Sequence, residues 1–211
     1  MKRLMPLRDY DEHDVINMFA LNTANTAISD SGNGDAGVIV KVLSGDMGYD
    51  PVELVTSSYL GKSDYPNVGR VNMGVVPLRV SAAGTGDAPM GITLYETAME
   101  DENGQKLIYY KTKAFENQVV LTGQAVPVLT RGTVMLTEDA FVGSVPAPST
   151  KLVVGSGSGK FDALGAGGAG TTVYGKVLAT GQRVAQKTAD YFVGAAGTTG
   201  TYALVQFDFN K

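Results

Sequence analysis

What most constrains this chain is the rhythm of its apolar residues, which come in short runs rich in Val, Ile, Leu, Thr and Tyr, each cut off by Gly, Pro, Asp or Asn. Such runs lie at residues 38–43, 52–56, 70–81, 90–97, 105–113, 119–122, 124–130 and 133–137, and again at 171–180 and 201–209. The spacing predicts an all-β fold, a β-barrel or β-sandwich of short antiparallel strands with Gly-rich loops. No segment keeps a helical period beyond about three turns. The sharpest local signal is Asn103-Gly104, between Ile92-Thr-Leu-Tyr-Glu-Thr and Lys106-Leu-Ile-Tyr-Tyr-Lys. Both residues tolerate the positive φ of a tight turn, so a hairpin is expected there. Pro77 and Pro127 interrupt apolar runs without a donor for a ladder and mark strand edges or bulges.

Four stretches follow from this pattern. Residues 1–36 form an N-terminal arm. Acidic residues precede Val15, Ile16, Phe19 and Ala20, whose spacing of three and four predicts a short amphipathic helix, and residues 27–37 form a loop of turn formers. Residues 37–142 hold the β-rich core. Residues 143–171, rich in Gly, Pro and Ser and with little beyond Lys151 to Val154 able to bury an apolar face, read as a linker or long surface loop. Residues 172–211 form a C-terminal β segment that completes the same barrel, with residues 182–192 either a helical turn or another strand. Val120-Leu-Thr-Gly-Gln-Ala-Val and Val177-Leu-Ala-Thr-Gly-Gln-Arg-Val echo each other, but one short match does not establish a repeat.

Charge and composition exclude several functions. The formal net charge is -4; residues 1–150 carry 11 Lys+Arg against 18 Asp+Glu (net -7), and residues 151–211 carry 6 against 3 (net +3). Neither sign is strong enough to read as nucleic-acid binding. With no cysteine and one histidine, no disulfide framework, thiolate zinc site or cysteine nucleophile can form within one copy. The longest uninterrupted apolar runs are about five residues, against roughly 18 for a membrane span.

The glycine motifs lose their chemistry when read in context. Gly165-Ala-Gly-Gly-Ala-Gly170 matches the dinucleotide fingerprint in letters, yet the residues after it read as a strand where the fingerprint needs a helix. Gly155-Ser-Gly-Ser-Gly-Lys160 hints at a phosphate loop, but Val154 stands at its first glycine and Phe161 at its magnesium-binding hydroxyl. Asp101, Asn103 and Gly104 align with the middle of a calcium loop whose first and last positions would be Met99 and Tyr110, neither a carboxylate. Asp30 and Asp35 lie in a loop able to hold a surface ion, although such loops are usually plain turns. His13, between Glu12 and Asp14, is either an ordinary exposed histidine or a proton-responsive one. No pair among the 21 acidic residues is singled out for acid–base catalysis. No catalytic, cofactor-binding or metal-binding residue is assigned. Ten tyrosines, among them Tyr109, Tyr110, Tyr174 and Tyr202, give mild support to a contact role, since tyrosine is favoured at interfaces.

The phrases Gly123-Gln-Ala-Val-Pro-Val-Leu-Thr-Arg-Gly-Thr-Val-Met-Leu, Gly175-Lys-Val-Leu-Ala-Thr-Gly and Gly200-Thr-Tyr-Ala-Leu-Val-Gln-Phe are similar in style to the β-rich decoration, or cement, proteins of tailed-bacteriophage heads. The resemblance covers roughly residues 70–211. It implies a β-barrel or β-sandwich on the outer face of the major capsid protein, as a homo-oligomer, often a trimer, with no catalysis, cofactor, nucleic acid or membrane partner. The expected location is the virion capsid, after synthesis in the host cytoplasm. A tail-associated or carbohydrate-binding adhesion module and, last, a β-fold hydrolase stay as alternatives.

Overall fold

Residues Val38, Ile39 and Val40 are all fully buried, and their alternation sets the architecture: successive strand side chains point to opposite faces, so a strand buried on both sides must lie between two cores. Val38 and Val40 enter one apolar cluster and Ile39 another. The computed structural model describes residues 3–28, 32–43, 78–156, 159–182, 193–194 and 198–210.

The first core is the inside of a barrel. Strands β2 (Val15–Leu21), β5 (Arg79–Ala82), β4 (Ile39–Val42), β6 (Gly91–Thr93) and β9 (Ala125–Leu129) close in that order. Every pairing is antiparallel except the parallel β2–β5 one. Closure leaves no open edge, and Leu21, Val38, Val40, Val80, Val126 and Val128 fill the interior.

The second core lies between the barrel and a six-stranded antiparallel sheet. Its order is β1 (Leu4–Asp9), β10 (Arg131–Thr137), β16 (Thr201–Asp208), β13 (Gly175–Gln182), β11 (Lys151–Val154) and β12 (Phe161–Ala163). Val134, Leu136, Leu152, Val177, Val205 and Phe207 on the sheet's inner face meet Ile39, Ile92 and Leu129 from the barrel. Phe161, Phe207, Phe209 and Tyr174 form an aromatic chain there, with Phe207–Phe209 and Tyr174–Phe209 centroids each 5.3 Å apart, the tilted spacing aromatic rings favour.

A smaller module hangs on this frame. Strands β3 (Asn25–Ala27), β7 (Glu96–Glu100) and β8 (Val119–Val120) pair in parallel. A 3-10 turn (Leu107–Tyr109) and helix α1 (Lys111–Glu116) belong to the same module, whose core is Ile28, Ala98, Leu107, Ala114 and Val119. Two short strands, β14 (Val193–Gly194) and β15 (Thr198–Thr199), make a separate hairpin.

The all-β expectation holds, and several finer expectations change. Residues 15–21 form strand β2, not a helix, after a single 3-10 turn at Glu12–Asp14. Ile16 pairs with Val128 but Phe19 with Val126, so β2 carries one extra residue, a bulge. That insertion stretches an alternating pattern to a spacing of three and imitates a helix. Pro127 lies opposite the bulge, in keeping with its expected position. Residues 1–36 are not a free arm, because β1, β2 and β3 enter the sheet, the barrel and the small module in turn.

The Asn103-Gly104 turn exists, with Gly104 at φ 76°, but the hairpin beyond it is one bridge, Glu100 to Lys106. The expected second strand becomes the 3-10 turn and α1, because Leu107 and Ala114 must reach the module core and packing overrides the β preference of Ile108-Tyr-Tyr. Residues 143–171 are not a bare linker: β11 and β12 pair there, and Leu152, Val153, Val154 and Phe161 are buried. From the C-terminal segment, β13 and β16 enter the six-stranded sheet rather than the barrel. The echoed Thr-Gly-Gln segments are not equivalent corners, since Gly123 sits in a turn at φ 87° and Gly181 within β13 opposite Tyr202. The runs expected at 52–56, 70–77 and 182–192 lie outside the described residues apart from Gln182, which ends β13.

Candidate interaction surface

The small module turns its large apolar side chains outward. Leu107 and Ala114 are buried, whereas Phe115 is 83% and Tyr109 78% exposed; Met99, Ile108 and Tyr110 are also exposed. Five large apolar residues thus stand in solvent within residues 99–115. A Phe or Tyr buries roughly 150–250 Å² when covered, so the three rings alone could hide several hundred Å², the scale of the largest patches on ordinary monomers.

A polar brace holds this segment in shape. Asp101 is buried, and one carboxylate oxygen accepts the amides of Asn103 and Gln105, both at 2.8 Å. The other accepts Lys113 Nζ at 2.7 Å, and Lys113 also reaches Glu102 at 2.9 Å. The turn is therefore tied to α1 twelve residues on. The Lys113 hydrogen bond is the main reason that Asp101 and Glu102 both ionise below their ordinary range, and Asp101 in turn pushes Lys113 up. With Asp101 so engaged, the calcium-loop likeness reduces to a turn.

A second polar group joins the module to the sheet and barrel. Arg3, buried, donates to the Gly159 carbonyl at 3.1 Å, and its Nε lies 3.8 Å from Asp35. Asp35 accepts Asn25 Nδ2 at 2.6 Å and the Gly32 amide at 2.9 Å, while its carbonyl accepts the Thr93 hydroxyl at 2.9 Å. Burial raises the Asp35 carboxyl despite those bonds and the Arg3 charge, and burial likewise lowers the Arg3 guanidinium. Desolvation outweighs attraction for both partners, so this pair acts as a positional lock rather than as a source of stability. Asp35 faces inward, which corrects its reading as a surface-ion ligand; Asp30 lies outside the described residues.

The glycine motifs take structural places. Gly155 N donates to the Lys160 carbonyl, closing the β11–β12 turn, and Gly159, at φ 63°, packs on Val38, where a side chain would collide. Gly165 and Gly168 take positive φ in the turns between β12 and β13, so a strand follows them where the fingerprint needs a helix. His13 is nearly fully exposed, with Nδ1 2.7 Å from Asp11. Its backbone amide also bonds Asp11 and is the largest cause of the lowered Asp11 ionisation. Among the described residues no three His, Cys, Asp or Glu gather as metal ligands, and no described helix is long and apolar enough to cross a membrane.

Sequence reasoning marked Tyr109 and Tyr110 only as members of a tyrosine-rich inventory. Ile108 and Phe115 gave no separate signal, because the segment reads as a strand with one half-buried face. Asp35 stood out only as a loop carboxylate, and nothing in the local pattern joined it to Asn25 or Arg3. Compared with known proteins, the chain matches no family model, no curated protein and no solved structure.

Proposed function

We propose that this protein acts by contact, as a structural component that docks on a larger assembly, and that the assembly is a capsid whose outer surface it decorates and stabilises. The observation that carries the contact reading is the exposed cluster at residues 99–115, in which a braced turn and α1 hold Tyr109, Tyr110 and Phe115 in solvent. A folded chain with a filled core has no packing reason to leave such rings uncovered, and aromatic residues enrich the centres of protein interfaces. The capsid as partner rests on the likeness of residues 70–211 to phage decoration proteins.

In this role the mechanism is mass action: a protein that binds the assembled shell and not its separate subunits stabilises the shell by RT ln(1 + [L]/Kd), about 2.7 kcal/mol at a hundredfold excess over Kd. No turnover is involved. The test is co-sedimentation of the purified protein with empty shells and with unassembled shell subunits from the native source, followed by electron microscopy of the loaded particles. Saturable binding to shells alone, with density at repeated positions, is expected. Absence of binding to any shell, or selective retention on a glycan array, would sink the reading.

A further inference from the structure

The six-stranded sheet packs one face on the barrel; on its other, solvent-side face Val153 and Asp162 are covered at the β11–β12 end, whereas Gln206, Lys176 and Lys151 are exposed. Register pairs align five residues across the solvent face: Asp9 on β1 opposite Thr133 on β10, then Gln206 on β16, Lys176 on β13 and Lys151 on β11. Directly opposed residues share a face, and neighbouring strands are about 4.8 Å apart. The file is therefore a dipole, with a carboxylate at one end, two neutral polar groups in the middle and two lysines side by side at the other.

Among the described residues neither end is neutralised, and Asp208, the carboxylate that lines the same depression as the lysines, accepts the Asn210 amide and pairs with neither of them. Among the described residues, Lys151, Lys176 and Asp9 form no ion pair. Like charges directly opposite one another destabilise a sheet, so the lysine pair keeps a repulsion that an incoming anion would remove. The lysines overlook a shallow depression of about 560 Å³, also lined by Arg131, Tyr174 and Asp208. Asp9 cannot supply that anion to its own chain, since three and four strand spacings separate it from them, roughly 14 and 19 Å. Met135 and Leu204 form the next paired row on this face, and Leu178, in the β13 bulge, is exposed beside them.

We propose that this face is a self-complementary docking surface on which a second copy stacks about a two-fold axis near Gln206, placing Asp9 of each copy over the Lys151–Lys176 pair of the other. A two-fold axis turns a file with opposite ends onto itself in reverse, so both ends are satisfied at once, the hallmark of an isologous contact. Stacked sheets lie about 10 Å apart, a gap that a lysine and an aspartate side chain span together. Met135 and Leu204 supply the apolar contact beside the axis. This contact stands apart from the Tyr109–Phe115 surface, and it holds or fails independently of the capsid reading.

Sedimentation equilibrium on the full chain tests it, at about 0.01 M and about 1 M salt, where the Debye length is about 30 Å and about 3 Å. The wild type is expected to dimerise reversibly at low salt and to dissociate at high salt. Lys151→Glu/Lys176→Glu should weaken dimerisation at least about tenfold, the size of effect expected when close charge pairs turn repulsive. Adding Asp9→Lys to that variant reverses every charge in the file and should restore the dimer. A thermal melt of each variant separates lost contact from lost fold. A wild type that stays monomeric at low salt, a dimer indifferent to the lysine reversal, or a triple variant that does not recover would each overturn the proposal.

Discussion

The two-core body and the small module use the same residue types in opposite ways. In the body, Phe141, Phe161 and Phe207 are at most 1% exposed and lock the sheet to the barrel, whereas in the module Phe115 is 83% exposed. The body's aromatics lie between the sheet and the barrel, so they are enclosed from both sides. The module has three short strands and one six-residue helix, enough to cover Leu107 and Ala114 but not the rings outside them. The contrast teaches that aromatic content alone does not separate core from contact surface; the number of layers over each ring does.

The largest loss of stability is expected in the body. Phe207→Ala removes a ring enclosed by Phe161 and Phe209 and should cost about 3–5 kcal/mol, read by denaturant or thermal unfolding. A loss below about 1 kcal/mol would mean that the body is not the rigid partner in the comparison.

The joint between the two regions comes next. Arg3→Ala takes the guanidinium charge away from buried Asp35, and removing one member of a buried pair costs about 3–5 kcal/mol in well-enclosed cases. The 3.8 Å spacing argues for the lower part of that range or below. Replacing both members, as in Arg3→Met/Asp35→Leu, should cost less than Arg3→Ala alone. Equal losses would show that the pair is not coupled.

Acid acts on the module's brace and on the joint with opposite signs. Asp11, Asp87, Asp101 and Glu102 ionise below their ordinary 3.8 or 4.5. The unfolded chain therefore binds their protons more tightly, so their contribution is full above about pH 4.5 and falls away as the pH drops through the lowered values. Asp35 has the opposite sign: its raised value means that its charged form costs stability at neutral pH and that protonation relieves it. Asp101→Asn should flatten the acid limb of stability against pH, and Asp35→Asn should steepen it. The same slope in both variants would contradict the assignment of the brace to the module and the lock to the joint.

Much of the body was legible in the sequence because alternation and turn formers are local signals. β4, β9 and β16 fall within the runs read from residues 38–43, 124–130 and 201–209, and β10 and β13 overlap those at 133–137 and 171–180, each extending two residues beyond one end. Where the reading failed, a non-local partner decided. The β2 bulge is dictated by pairing with β9, more than 100 residues away. The β11–β12 hairpin hides in glycine-rich sequence because Leu152, Val154 and Phe161 are few in number but land in the main core. The exposed rings of the module were the least legible part. Ile108-Tyr-Tyr has strand composition, and only the need to bury Leu107 and Ala114 together turns its other side chains outward.

The central claim is that the module's uncovered rings serve contact rather than folding, and the direct measurement is shell binding by the Tyr109→Ser/Phe115→Ser variant beside its own unfolding curve. At such exposed positions stability should stay within about 0.5 kcal/mol of the parent for each substitution. Affinity for assembled shells should fall at least about tenfold, or 1.4 kcal/mol. Unchanged affinity with unchanged stability would contradict the account.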